Sequence, residues 1–177
     1  IERGDSVCII DSLEPETHAG PPPWQSRHAH FVRGDVRDGD LLAQHLSGAD
    51  AVVHQAAFGG FVPEPRRTCD INLVGTAAVL EAAQRAGVGT IVYASSQAVY
   101  GAGTVRCKIH RYQAARRDPW AMARGEWRVT CRECGEPCES IAAGESDGPN
   151  PFTPYAVSKY AAERLLLGAA SDSLRVV

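Results

Sequence analysis

Thr90-Ile91-Val92-Tyr93-Ala94-Ser95-Ser96 is an apolar, β-branched run that ends on two hydroxyls. Its length and composition predict a buried strand. Before it, the stretch from about Thr68 to Arg85 predicts a helix, with Ile71, Val74, Ala78 and Ala82 near helical spacing and Gly87 as its stop. Before that helix, Ala51-Val52-Val53-His54-Gln55-Ala56-Ala57 predicts another strand, running into Gly59-Gly60. Strand, helix and strand in this order argue for a parallel sheet covered on both faces.

Working outward towards the N-terminus, Ser6-Val7-Cys8-Ile9-Ile10-Asp11 predicts a buried strand that ends in an acid. Ser12 to Gln25 contains Pro21, Pro22 and Pro23 and is a loop. Ala29-His30-Phe31-Val32 predicts a further strand, closed by Gly34-Asp35-Val36-Arg37-Asp38. Asp38 can cap a short helix carrying Leu41, Leu42 and Leu46, which stops at Gly48. The fold expected is α/β, a Rossmann-like doubly wound parallel sheet. In such sheets ligands bind beyond the carboxyl ends of the strands. Asp11, Asp35, Ala56-Ala57 and Ser95-Ser96 all fall at those ends. Ile1 to Asp5 reads as the end of a helix and Leu174 to Val177 as a strand beginning, so the chain is expected to be a fragment.

Towards the C-terminus, Tyr155-Ala156-Val157-Ser158-Lys159 opens a helical segment after Pro154. Residues four apart share a helix face, so Tyr155 and Lys159 are placed together. A phenol beside an ammonium makes a base usable near neutral pH, because the cation favours phenolate. A chance pair on an amphipathic helix is the plainer explanation of so short a pattern; the hydroxyls of Ser95-Ser96 favour the catalytic one.

The chain has 177 residues, 44% hydrophobic and 22% charged, which suits one soluble globular domain with a real core. A net charge of −3 gives no electrostatic reason to expect nucleic acid or an anionic membrane. No apolar run has the length of a membrane span and no signal peptide is visible, so a cytoplasmic protein is expected.

Between Tyr100-Gly101 and Pro154 the alternation breaks. This Arg-rich stretch is poor in aliphatics and carries no strand or helix period. The expected division is therefore a partial cofactor-binding core over 1–101, an insertion over 102–150, and a helix with the start of a strand over 151–177. Of six cysteines, Cys8 and Cys69 are expected to be buried thiols. Cys107 to His110 and Cys131 to Cys134 form CxxH and CxxC knuckles about twenty residues apart, good spacing for tetrahedral zinc. Cys138 is an alternative to His110. A closed four-ligand site would be structural, ordering a segment that cannot build a core.

These residues together resemble the extended short-chain dehydrogenase/reductases, the NAD-dependent epimerase/dehydratase family of nucleotide-sugar enzymes. The resemblance rests on Asp11, Gly34 to Asp38, His54 to Ala57, Asn72-Leu73-Val74-Gly75-Thr76, Ala94 to Gly101, and Pro154 to Lys159. It implies that Asp11 binds the adenosine ribose and favours NAD over NADP, and that Asp35 and Val36 hold adenine. It implies close approach of the cofactor at Ala56 and Ala57, and a cofactor-side place for Asn72. Ser96 would hydrogen-bond the reacting sugar oxygen, Tyr155 would move the proton, and Lys159 would lower the Tyr155 pKa and hold the nicotinamide ribose. The family's Gly-rich turn would lie before Asp11, and its C-terminal substrate region would follow the last residue.

Dehydratases and decarboxylases of this family resemble one another in carrying acids directly after the catalytic Ser/Thr. Gln97 and Ala98 occupy those positions here. The expectation is therefore a 4-epimerase working through a 4-keto sugar, with a 4-reductase or dehydrogenase, or a non-catalytic NAD sensor, as alternatives. The Cys-rich insertion looks like that of a subgroup including TDP-L-rhamnose 4-epimerases. The family resemblance also implies a homodimer.

Overall fold

A computed structural model describes residues 4–18, 29–59, 64–113, 117 and 119–177. The chain divides into two compact units, one of Ile1–Ala94 with Ala161–Val177, the other of Ser95–Tyr160.

In the first unit, strands β1 (Val7–Asp11) and β2 (Ala29–Arg33) pair in parallel, from Val7 opposite Ala29 to Asp11 opposite Arg33. Strands β3 (Ala51–His54), β4 (Thr90–Tyr93) and β8 (Arg175–Val176) form a second parallel sheet in the order β3-β4-β8. Helix α1 (Gly39–Leu46) starts as expected, with the Asp38 carboxylate accepting from the Leu41 amide at 3.0 Å. It buries Leu42 and Leu46.

The long helix forms too, with one irregularity. It starts at Pro65 as α2 (Pro65–Cys69), passes through a π-helical turn at Asp70–Val74, and continues as α3 (Gly75–Ala86). Gly87 ends it at φ 72°, the left-handed conformation that favours glycine. The core lies where Leu42 and Leu46 meet Val79, Leu80, Ala83, Val88, Ile91, Leu166 and Leu174. On the other side of the β3–β4 pair, Val53 and Val92 are register partners and are 63% and 37% exposed. A parallel sheet normally has both faces covered; the described residues cover one here. Among these residues no helix is long and apolar enough to cross a membrane.

Two strands end earlier than the sequence suggests. β3 stops at His54 and β4 at Tyr93, whereas the apolar runs continue to Ala57 and Ser96. The last rung between them runs from the Ala94 amide to the His54 carbonyl at 3.1 Å. Beyond it each strand turns into a loop held by side chains. One buried thiol is also corrected. Cys8 is exposed, with its Sγ 3.7 Å from His30 Nδ1, because it lies on the side of β1 where its neighbours are the polar rings of His30 and His45 rather than the apolar core. Cys69 is half-buried.

The second unit holds a 3₁₀ turn (Gln97–Tyr100), strands β5 (Thr104–Arg106), β6 (Arg111–Gln113) and β7 (Glu139–Ile141), helix α4 (Pro119–Ala123) and the start of α5 (Pro154–Gly168). The strands make an antiparallel sheet in the order β6-β5-β7. Three residues are too few to display an alternating pattern, so the sequence showed no period here.

The two ends of this excursion are tied together. The Asn150 amide donates to the Val99 carbonyl at 2.8 Å, and a Cβ on Gly101 would lie 2.2 Å from the Asn150 carbonyl oxygen. Gly101 also has φ +68°. Asp147 ties the interior, accepting from Thr104 at 3.0 Å, Arg111 at 2.8 Å and the Gly144 amide at 3.1 Å.

Replacing Gly101 by Ala is therefore expected to destabilise the protein by about 2–4 kcal/mol, combining backbone strain with a steric clash. Gly103→Ala, at φ +86° with nothing within 4 Å, tests the strain alone and is expected to cost less. Urea midpoints of the full-length variants give the comparison, and equal losses would contradict the Asn150 contact.

Candidate functional site

Ser96, Tyr155 and Lys159 all belong to the second unit. Ser96 follows β4 with an extended backbone, and its Oγ accepts from the Ala98 amide at 3.2 Å, capping the 3₁₀ turn. The hydroxyl proton is therefore directed away from that contact. The residues that follow, Gln97 and Ala98, carry no carboxylate.

Helix α5 begins where Thr153 caps it, its Oγ1 accepting from the Ala156 amide at 3.1 Å. Tyr155 falls in the first turn and is half-buried, and Lys159 lies one turn on. Between them the Ser158 hydroxyl donates back to the Tyr155 carbonyl at 2.8 Å, satisfying a buried polar group inside the helix. Lys159 is only 2% exposed. Burial disfavours its ammonium and pushes its pKa down to about 8. Most of its charge is present at neutral pH and is lost at mildly alkaline pH.

The expected cofactor residues belong to the first unit. Asp11 ends β1 with a side chain 34% exposed. Its Oδ1 accepts from the Leu13 amide at 2.8 Å and lies 3.5 Å from His18 Nε2, so both described contacts fall on one oxygen. Asp35 grips the Arg37 guanidinium through both carboxylate oxygens and accepts from the Arg37 amide at 2.9 Å. The Arg37 side chain holds its carboxyl below the usual range. Val36 packs against the core, and a Cβ on Gly75 would lie 2.7 Å from its Cγ2, so the helix comes that close only because residue 75 is glycine. Ala56 is half-buried and Ala57 exposed, in the loop after β3.

Asn72 lies in the π-helical turn and is 1% exposed. Its Oδ1 accepts from the Phe58 amide at 2.7 Å and its Nδ2 donates to the Phe58 carbonyl at 3.0 Å. Asn72 thus clamps the loop containing Ala56 and Ala57. One neighbouring network escaped sequence reasoning. Thr76 donates its single hydroxyl proton to the Asn72 carbonyl at 2.6 Å, so it must accept from Nε2–H of the buried His54 at 2.9 Å. Asn72 and Thr76 stand four apart on the helix, but nothing local links them to His54 on a strand.

Cys107, His110, Cys131 and Cys134 converge, with their ligand atoms all within 4.8 Å of one another. Cys138 takes no part in this group; its Sγ lies 3.8 Å from the Tyr112 hydroxyl. Cys8, His30 and His45 make a more exposed group of three ligand atoms on the first unit, also within 4.8 Å of one another.

Parallel strands joined by helices, with acids, small residues and a serine at the strand ends, define a Rossmann-like α/β fold. Comparison with known proteins agrees. A model of the NAD dependent epimerase/dehydratase family matches residues 2–133, and the chain belongs to that family. A UDP-glucose 4-epimerase of Streptomyces lividans is 30% identical over 177 residues, covering 97% of this chain and 42% of that protein. A dTDP-glucose 4,6-dehydratase of Streptomyces antibioticus is 40% identical over 103 residues, 56% of this chain and 30% of that protein. Among solved structures, a dTDP-glucose 4,6-dehydratase from Streptomyces venezuelae with NAD bound superposes with TM-score 0.65 at 27% identity, over 97% of this chain and 45% of that one. The UDP-glucose 4-epimerase of Thermotoga maritima has the same fold, with TM-score 0.69 at 22% identity, over 99% of this chain and 47% of that one. The chain thus spans less than half the length of each of these proteins.

The depressed Lys159 pKa has a thermodynamic consequence. Its folded value, about 8, lies below the ordinary value of 10.5. Between those values the unfolded chain binds more protons, so stability contributed at this site rises with pH across that window. Relative to Lys159→Met, the wild-type full-length protein is expected to gain stability from pH 8 to pH 10, read as the difference in urea midpoints. A flat difference would show that Lys159 is not desolvated.

Proposed function

We propose that the protein is an NAD-dependent nucleotide-sugar 4-epimerase. The observation that carries this reading is the Ser96, Tyr155 and Lys159 set with Gln97 and Ala98 directly after the serine. Family membership supplies the class, and its relatives divide between 4-epimerases and 4,6-dehydratases. Removing water from a keto sugar needs a further acid or base beside the reacting carbons. Gln97 and Ala98, directly after Ser96, carry no group that can supply one. Oxidation and re-reduction at C4 need only the proton shuttle.

The residues present fit a dinucleotide. Asp11 has its described contacts on Oδ1, which suits a carboxylate that also accepts from ribose hydroxyls, and its charge disfavours a 2′-phosphate. Ala56 and Ala57 offer small side chains in a loop fixed by Asn72, which acts through that loop. Asp35 already bonds Arg37, so adenine would meet the Val36 peptide as much as the Asp35 carboxylate. NAD supplies the group that takes hydride from C4 and returns it to the other face of the sugar.

The protein's own residues handle the proton. Tyr155, as phenolate, accepts it from the C4 hydroxyl and gives it back on re-reduction. The Lys159 ammonium favours the phenolate, and the Ser96 hydroxyl donates to the C4 oxygen as its charge changes. Net cofactor consumption would instead indicate a 4-reductase or dehydrogenase, and binding without turnover a sensor.

The test is to incubate the full-length protein with UDP- and TDP-sugars, TDP-L-rhamnose among them, without added cofactor, and to follow C4 configuration by NMR. Inversion without net NAD reduction is expected, and the reacting sugar identifies the substrate. Loss of the 6-hydroxyl as water would overturn the epimerase reading in favour of a dehydratase. Tyr155→Phe is expected to lower kcat by about 10²–10⁴-fold, the usual worth of a positioned proton-transfer group.

A further inference from the structure

The described residues of 102–150 form almost no core of their own. Among the described residues of this segment, only Thr104, Val105, Cys107 and Cys131 are buried, while Ile109, Trp120 and Trp127 are 77%, 77% and 59% exposed. Val105 is the single buried aliphatic in that set. Hydrophobic burial therefore cannot order the segment, and small units in this position need another cross-link.

Two tight loops supply the ligands. Cys107 to His110 joins β5 to β6, closed by the Cys107 amide donating to the His110 carbonyl at 3.0 Å. Cys131 to Cys134 lies in a second hairpin, closed by a Thr130–Pro137 bridge and by the Cys131 amide donating to the Glu136 carbonyl at 2.8 Å. Tyr112 links the two, its hydroxyl donating to the Thr130 carbonyl at 3.3 Å and accepting from the Arg132 amide at 3.2 Å.

Three of the six distances among these ligand atoms match the edges of a coordination tetrahedron, and all six are within 4.8 Å. With metal–sulfur bonds of about 2.3 Å and metal–nitrogen bonds of about 2.05 Å, its edges are about 3.8 Å between sulfurs and about 3.5 Å between sulfur and nitrogen. Cys107 Sγ lies 3.7 Å from Cys134 Sγ, and His110 Nδ1 lies 3.5 Å from both Cys107 Sγ and Cys131 Sγ. The Ile109 and His110 amides donate to Cys107 Sγ at 3.4 and 3.2 Å, an arrangement that favours a thiolate and fixes its direction.

We propose that Cys107, His110 through Nδ1, Cys131 and Cys134 bind one structural zinc ion that orders the insertion. Three thiolates and an imidazole in tetrahedral array suit zinc. All four positions are filled by the protein, so the ion takes no part in the reaction. Cys138 is not a ligand.

The full-length protein, purified without chelator, is expected to contain about one zinc per chain by inductively coupled plasma mass spectrometry. Cys134→Ser is expected to lose most of that zinc and Cys138→Ser to keep it. Mercurial titration of the wild type should release the metal, read with a chromogenic dye, so the result does not depend on enzyme activity. Because Cys134 is exposed, far-UV circular dichroism can confirm that its variant still folds. Iron in place of zinc, a disulfide between these cysteines, or freely titrating thiols without metal would overturn the proposal. Loss of zinc in Cys138→Ser with retention in His110→Ala would overturn this ligand set.

Discussion

The hydrogen bond from the Ala94 amide to the His54 carbonyl is the last rung joining β3 to β4. Beyond it each strand gives way to a loop, and the candidate residues of the strand ends lie in those loops. Parallel strands that stayed paired would present only a closed ladder at their carboxyl ends. Where pairing stops, the backbone of each end is released from the ladder, and its amides and small side chains can meet a ligand. One loop carries Ala56 and Ala57, and the other leads into Ser95 and Ser96.

A loop that leaves a sheet must find new partners for its backbone. After β3 this is done by Asn72, whose amide group satisfies both the N–H and the C=O of Phe58. The Asn72 position is in turn set within a π-helical turn, and its own carbonyl accepts from Thr76, which accepts from His54. Strand end, loop and helix are therefore fixed by one buried chain of hydrogen bonds. After β4, Ser96 does the corresponding work by capping its own 3₁₀ turn. A serine in that role has its Oγ lone pair occupied and its proton available, which is the state a donor to a substrate oxygen requires.

The insertion shows the opposite economy of structure. It has little apolar area to bury, so it is held by closure of its ends at Val99 and Asn150, by the three bonds to Asp147, and by the convergence of two knuckles. Each of these is a polar or ligand contact between residues far apart in sequence. Such a unit can be long without disturbing the strand before it or the helix after it, because its two ends meet.

Much of this was legible in the chain itself. The alternation of strands and helices, the Asp38 cap, the Gly87 stop, the one-turn spacing of Tyr155 and Lys159 and the paired knuckles all rest on local spacing, which sequence records directly. What tertiary structure decided was of another kind. It ended β3 at His54, exposed Cys8, gave Asn72 to the Phe58 peptide, occupied Asp35 with Arg37, and brought His110 rather than Cys138 to the other thiols. Each of those outcomes is a competition for partners or for buried space. Sequence spacing states which groups are available, but only the folded arrangement determines which of them come within a bond's length.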